Sequence, residues 1–183
     1  MATGADLTPE ASAADHVRGS LDAPVVITEF ADFECSYCGD AFDVLEAIRE
    51  KYLARIALVF RHYPLSMHPH AAAAAEAAEA AGQAGKFWEM HDKLFHNQQA
   101  LTKPNLLTYA DAIGVDADSI ETAIGRRTYR GRIERDVKSG DLSGVEGTPA
   151  LFINGYAYDG DVSVEALSAV IERALTPGSA ATV

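Results

Sequence analysis

Apolar positions follow three different rhythms along the chain. Two short runs are continuous: Val25-Val26-Ile27-Thr28-Glu29-Phe30 and Ile56-Ala57-Leu58-Val59-Phe60. Dense β-branched and apolar side chains without alternation predict strands covered on both faces. Pro24 precedes the first run, where a missing N–H does least harm, and Pro64 closes the second. Over residues 36–52 the period changes. Phe42, Leu45, Ile48, Arg49 and Tyr52 mark a helical stripe, with Asp40, Asp43, Glu46 and Glu50 largely outside it. Strand, helix and strand with a helix-length crossover make a parallel βαβ unit.

The middle of the chain is helical. From His70 to Ala81 almost every residue is Ala or Glu, Pro69 suits a first turn, and Gly82 and Gly85 end the segment. A second helix starts at Phe87, and Pro104 opens a third that runs through Ile113. Asp116 or Asp118 caps a fourth, and Tyr129, Ile133 and Val137 recur at four-residue steps in a fifth. A block this long is more than a connection and is expected to form a subdomain with a small core of its own, including Phe87, Trp88, Leu94 and Phe95. Alternative roles as a cofactor box are weaker for these aromatics than packing. Near the end, Asn154-Gly155 between apolar runs is a strong hairpin signal, and a closing helix is expected over residues 163–175.

Charge narrows the partners. Fifteen basic against 27 acidic side chains leave a formal net charge of -12, which argues against nucleic acid and anionic membrane surfaces. Arg126, Arg127, Arg130, Arg132, Arg135 and Lys138 cluster locally, but Glu134 and Asp136 interrupt them, and a solvated helix face is expected. No apolar stretch is long enough for a membrane span. The first twenty residues hold Asp6, Glu10 and Asp15 and no apolar leader core. The expected location is cytoplasmic if Met1 is the native start, and extracytoplasmic if the chain is a mature form.

The chemistry concentrates in the only two cysteines, Cys35 and Cys38, with Ser36 and Tyr37 between them. A bridge closing so short a loop adds little stability, so exchange chemistry is the better use of the pair. Cys35 falls at the start of the first helix, where free backbone N–H groups and the helix dipole favour negative charge on sulfur. Cys38, within the first turn, is placed to resolve a mixed disulfide. The alternative is zinc, with His62, His68 and His70 completing four ligands. His68-Pro69-His70 reads more simply as a helix start with surface imidazoles, so no metal is expected.

Two further features stand beside the cysteines. Thr148-Pro149 precedes a buried run, and a proline opening a strand fits either a cis bond in a fixed turn or an ordinary trans turn. Glu29 lies six positions before Cys35 among Val, Ile and Phe. Buried, it would be a proton acceptor for Cys38; at the strand end, it would simply face water.

The run from Thr28 to Cys38, with its acidic residue six before the first Cys, resembles the active-site segment of the thioredoxin superfamily. The helical block and Gly147-Thr148-Pro149 before the last hairpin make the DsbA-like branch the closer match, over roughly residues 15–175. Phe60-Arg61-His62-Tyr63-Pro64-Leu65 and Phe87-Trp88 are similar to that branch as well. The resemblance implies an α/β thioredoxin fold: a core from residues 15–64 and 141–176, an inserted helical subdomain over 65–140, and flexible tails at 1–14 and 177–183. It implies Cys35 as nucleophile, Cys38 as resolving thiol, Glu29 as buried acid, and Pro149 as a cis-proline beside the disulfide. Thr148, with Ser36 and Tyr37, would meet the substrate peptide, Thr148 through its backbone.

The implied activity is thiol–disulfide exchange with cysteine-containing protein substrates, disulfide formation favoured. It needs a redox-recycling partner and no cofactor. A reductase or isomerase, and a redox-inert binding module or chaperone on the same fold, are the alternatives. Ser36-Tyr37 departs from the Pro-His or Pro-Tyr pair of many relatives, which leaves the oxidising strength open.

Overall fold

The computed structural model describes residues 6–176. The expected tail at 177–183 and the first five residues lie outside the described part. Five strands form one sheet in the order β1-β3-β2-β4-β5. They are β1 (His16–Arg18), β2 (Val25–Ala31), β3 (Ile56–His62), β4 (Ala150–Ile153) and β5 (Tyr156–Tyr158). β2 lies at the centre, parallel to β3 and antiparallel to β4. β1 was not expected, because three residues with one apolar side chain carry no periodic signal. Its antiparallel pairing with β3 supplies the order.

α1 (Ser36–Tyr52) makes the crossover between β2 and β3. Five helices then fill the space before β4: α2 (Ala71–Gln83), α3 (Phe87–Phe95), α4 (Lys103–Ala112), α5 (Ala117–Arg126) and α6 (Arg130–Leu142). α7 (Val164–Leu175) closes the described chain. The caps follow the side-chain chemistry. Asp116 accepts from the amides of Asp118 and Ser119, and Ser163 from that of Ala166. Asn154 and Gly155 both take positive φ, 50° and 84°, as a two-residue hairpin turn requires. Among the described residues no helix is long and apolar enough to cross a membrane.

Alternation along β2 sorts its side chains. Val25 and Ile27 pack with Leu45 and Ile48 of α1 and Leu167 and Ile171 of α7. Phe30 turns the other way, toward Leu7, Val145 and Phe152. Glu29 shares the α1 side, lining a small cavity with Ile27, Phe42, Leu45, Phe60 and His91. The largest apolar cluster runs from Phe33, Cys38, Phe42 and Phe60 straight into Ala74, Ala78, Met90, Leu94, Leu106 and Ile120. The helical block therefore shares the core beside the cysteines instead of holding a separate one. Its small alanines let α2 approach neighbouring helices closely.

Residues 6–14, expected as a flexible tail, are docked. Leu7 is 3% exposed, and its burial is worth roughly 2 kcal/mol. The fully buried Arg61 guanidinium donates to the carbonyls of Pro9 and Glu10 and forms a two-armed pair with Asp15. A buried arginine must have its donors met, and the N-terminal segment meets them. The basic cluster also departs from a plain solvated face. Arg132 turns inward, 3.6 Å from Glu79 and 3.5 Å from Asp136, while Arg130 stays exposed with Glu134.

Candidate active site

β2 delivers the chain into a tight turn over Asp32, Phe33 and Glu34, and Cys35 is the N-cap of α1, with φ -77° and ψ 120°. The amides of Cys38 and Gly39 donate to the Cys35 carbonyl at 3.1 and 3.2 Å, which starts the helix. Both thiols are free; Cys35 is 5% exposed and Cys38 is fully buried. The Cys35 thiol donates to the Thr148 carbonyl at 3.5 Å, bringing together two segments 113 residues apart. The Thr148–Pro149 peptide bond is cis. The sheet ladder begins one residue later, with Ala150 opposite Phe30, so Pro149 removes no ladder donor. Thr148 and Pro149 also line a cleft of about 380 Å³ with Glu146, Gly147, Ala157 and Tyr158.

Beneath the pair lies Glu29. It is 6% exposed, its ladder neighbours are Phe60 and Leu151, and its Oε1 has no hydrogen-bond partner among the described residues. Burial pushes its carboxyl up to about 8. The water-facing alternative for Glu29 is excluded. Cys38 feels the same surroundings: burial and the Glu29 charge raise its thiol, while the Asp32 amide, 3.5 Å from its sulfur, works the other way. The acid and the thiol thus both resist charge, and the Glu29 charge acts on the Cys38 thiol.

Three groups around the turn are marked by no motif in the sequence. Asp32 is buried, and its carboxylate accepts from the amides of Glu34 and Leu65 at 2.8 Å and pairs with His68 Nδ1 at 2.7 Å. Glu34 likewise holds the amide and ring of His70, at 2.6 and 2.7 Å. These bonds fasten the loop between β3 and α2 to the approach to Cys35. They also place Met67, 78% exposed, on that loop, while Tyr37 is 72% exposed between the cysteines. Gln98, from the turn after α3, donates to the carbonyls of Phe33 and Cys35. The only sequence signal for any of these was the pair of acids flanking Phe33; His–carboxylate pairing across 36 residues is invisible in a linear pattern.

The zinc alternative does not assemble. His68 and His70 each hold a different carboxylate, and His62 bonds Glu79. His16, His62 and Glu79 bring three ligating atoms within 4.8 Å of one another. Both Nε2 atoms, however, already bond the same Glu79 oxygen, at 2.6 and 2.9 Å, and the Arg132 guanidinium stands beside it. A cation so placed opposes a metal ion, and the cluster fits a hydrogen-bonded joint between sheet and helices.

A family model described as Thioredoxin matches residues 11–173. Among curated proteins the chain is similar to Na(+)/H(+) antiporter NhaA 3 of Salinispora tropica, 44% identical over 161 residues, covering 87% of this chain but 24% of that protein. The chain thus spans about a quarter of the length of the curated relatives it matches. Among solved structures it is similar to oxidised BdbD from Bacillus subtilis, with TM-score 0.80 and 22% identity over 88% of this chain and 92% of that one. It is also similar to a thioredoxin-like oxidoreductase from Silicibacter pomeroyi, with TM-score 0.79 and 24% identity over 90% and 94%. The α/β architecture with a helical block between β3 and β4 is shared across nearly the whole chain.

Proposed function

The chain belongs to the thioredoxin family, and on that premise we propose that it is a DsbA-like thiol–disulfide oxidoreductase whose working groups are Cys35 and Cys38. The observation that carries this is the Cys35 thiol at a helix N-cap, facing the Thr148 carbonyl, with Cys38 buried above an unpaired acid.

In the oxidising direction a substrate thiolate attacks Cys35 Sγ. The Cys35–Cys38 bond breaks, Cys38 leaves with the electron pair, and the neutral Glu29 carboxyl supplies its proton. A second substrate thiolate then attacks the substrate sulfur of the mixed disulfide, and Cys35 leaves. Two substrate thiols become one disulfide, the protein pair becomes a dithiol, and Glu29 regains its proton from solvent. A redox-recycling partner must take the two electrons onward. In the reducing direction Cys35 attacks, and Glu29 takes the Cys38 proton as Cys38 resolves.

Substrates are cysteine-containing polypeptides. The exposed Tyr37 and Met67 offer apolar contact on the approach to Cys35, and the Thr148 backbone would pair with an extended peptide. Ser36 is small and exposed beside Cys35 and would meet the substrate peptide there. Replacing Cys35 with Ala should abolish both peptide oxidation and insulin reduction. Full turnover in that variant refutes the reading. The reduction potential against glutathione sets the direction; disulfide formation is favoured if it lies well above thioredoxin's.

A further inference from the structure

The exchange reading places all the chemistry in β2, α1 and the Thr148 turn. Yet the Cys35 turn is also held from outside: besides the His68 and His70 bonds to Asp32 and Glu34, one side chain from the turn after α3 reaches its backbone carbonyls. Gln98 Nε2 donates to Phe33 O at 2.9 Å and to Cys35 O at 2.7 Å. These two carbonyls bracket the residue whose sulfur reacts. The amide orientation follows from the chemistry, because the reverse one would aim an oxygen at two carbonyl oxygens.

Gln98 is itself held. The His96 amide bonds Asp92 O at 3.0 Å, Asn97 Nδ2 bonds Lys93 O at 2.7 Å, and the Ala100 amide bonds Asn97 O at 2.8 Å. Tyr109 Oη then bonds Ala100 O at 2.8 Å from α4. A second observation comes from the opposite side. Gly39 follows Cys38, and a Cβ built there would stand 2.2 Å from Gln98 Oε1 and 2.9 Å from its Cδ. The first turn of α1 has no room for any side chain at position 39 while Gln98 keeps its place.

We propose that Gln98 is a positioning residue for disulfide exchange: it locks the Cys35 turn through Phe33 O and Cys35 O, and Gly39 is the gap that admits it. This rests on the exchange reading above and assigns the helical block a part in it. Cys35 O already accepts from the Cys38 and Gly39 amides. A third donor polarises the Cys35–Ser36 peptide further and keeps the first-turn N–H groups aimed at the sulfur. That favours the reduced form, whose Cys35 sulfur holds more electron density than a disulfide sulfur, over the disulfide.

The test is the equilibrium of the Cys35–Cys38 pair with a glutathione redox buffer, in the full chain. Gln98→Ala should shift it roughly three- to tenfold toward the disulfide, as expected for the loss of one or two hydrogen bonds. Gly39→Ala should shift it in the same direction without touching Gln98 chemically, because the new methyl displaces the amide. Alanine is the better helix former, so general destabilisation is not its expected effect. The double variant should match the single ones, since each removes the same contact. Gln99→Ala, the exposed neighbour, should leave the equilibrium unchanged.

An equilibrium within twofold of the parent in folded Gln98→Ala or Gly39→Ala overturns the proposal, and so do shifts that multiply in the double variant. If Gln98→Ala does not fold, Gly39→Ala alone decides. A parent protein that exchanges normally while the variants do not shift removes only this proposal. A parent that never exchanges with glutathione removes the exchange reading itself.

Discussion

Two glutamates are buried to nearly the same depth, Glu29 at 6% and Glu79 at 3% exposure, yet their surroundings drive them in opposite directions. Glu29, in β2, has only apolar ladder neighbours and an Oε1 without a partner; burial alone lifts it to about 8. Glu79, in α2, is also penalised by burial, but hydrogen bonds and charge from His16 and His62 outweigh that penalty and hold it well below the usual carboxylate range. Arg132 adds a guanidinium 3.6 Å away. Burial therefore does not decide the state of an acid; the partners do. Where β1, β3, α2 and α6 meet, the partnered acid joins sheet to helices. Near Cys38 the unpartnered acid is pushed by burial toward its neutral form.

Breaking the Glu79 joint has the largest expected effect. Glu79→Ala leaves two imidazoles and Arg132 facing one another and should cost about 3–5 kcal/mol in urea unfolding. A loss under 1 kcal/mol would mean the cluster is not the joint described. The sign with pH follows from the lowered carboxyl: its contribution is in place above the unfolded value near 4.5 and is lost as pH falls through the folded one.

Glu29 should show the mirror image. Between pH 4.5 and about 8 the folded state keeps a proton that the unfolded chain has released, so Glu29 lowers stability as pH rises. Glu29→Gln should match the parent near pH 4 and exceed it by about 2–4 kcal/mol at pH 8. Parallel stability curves for the two proteins would contradict its buried, proton-bearing state. The same substitution sharpens the comparison kinetically. It should slow the Cys38 resolving step by about 10²-fold while leaving alkylation of Cys35 intact, read by single-turnover kinetics across pH. An unchanged rate would leave Glu29 without a role in proton transfer.

The smallest effect belongs to the surface. Arg130 and Glu134 are paired in the open, both 58% exposed. Arg130→Ala should change stability by less than about 1 kcal/mol, and salt should erase the difference. A larger cost would show that the α6 charges act as one network with Arg132.

Much of this organisation is legible in one dimension. The continuous apolar runs mark β2 and β3 because a strand covered on both faces needs apolar side chains at successive positions. The 36–52 stripe, the Asp116 and Ser163 caps and the Asn154-Gly155 turn are likewise local. The pairing of Cys35 with a helix start needs only the end of one strand and the beginning of one helix. β1 lay below that threshold, since its reason to be a strand is the edge of β3.

The sequence by itself thus determined which groups are available for chemistry: two cysteines with two residues between them at a strand-to-helix turn, an acid six positions earlier, and a Thr-Pro near the end. The tertiary structure decided how those groups behave. It buried Glu29 without a partner, set the Thr148 carbonyl against the Cys35 thiol, drew residues 6–14 onto Arg61, and brought Gln98 to the carbonyls around Cys35. Each of these depends on which distant atoms fill the space around a polar group. A carboxylate, a thiol or a guanidinium takes its charge and its bonds from those neighbours, and no periodicity along the chain records them.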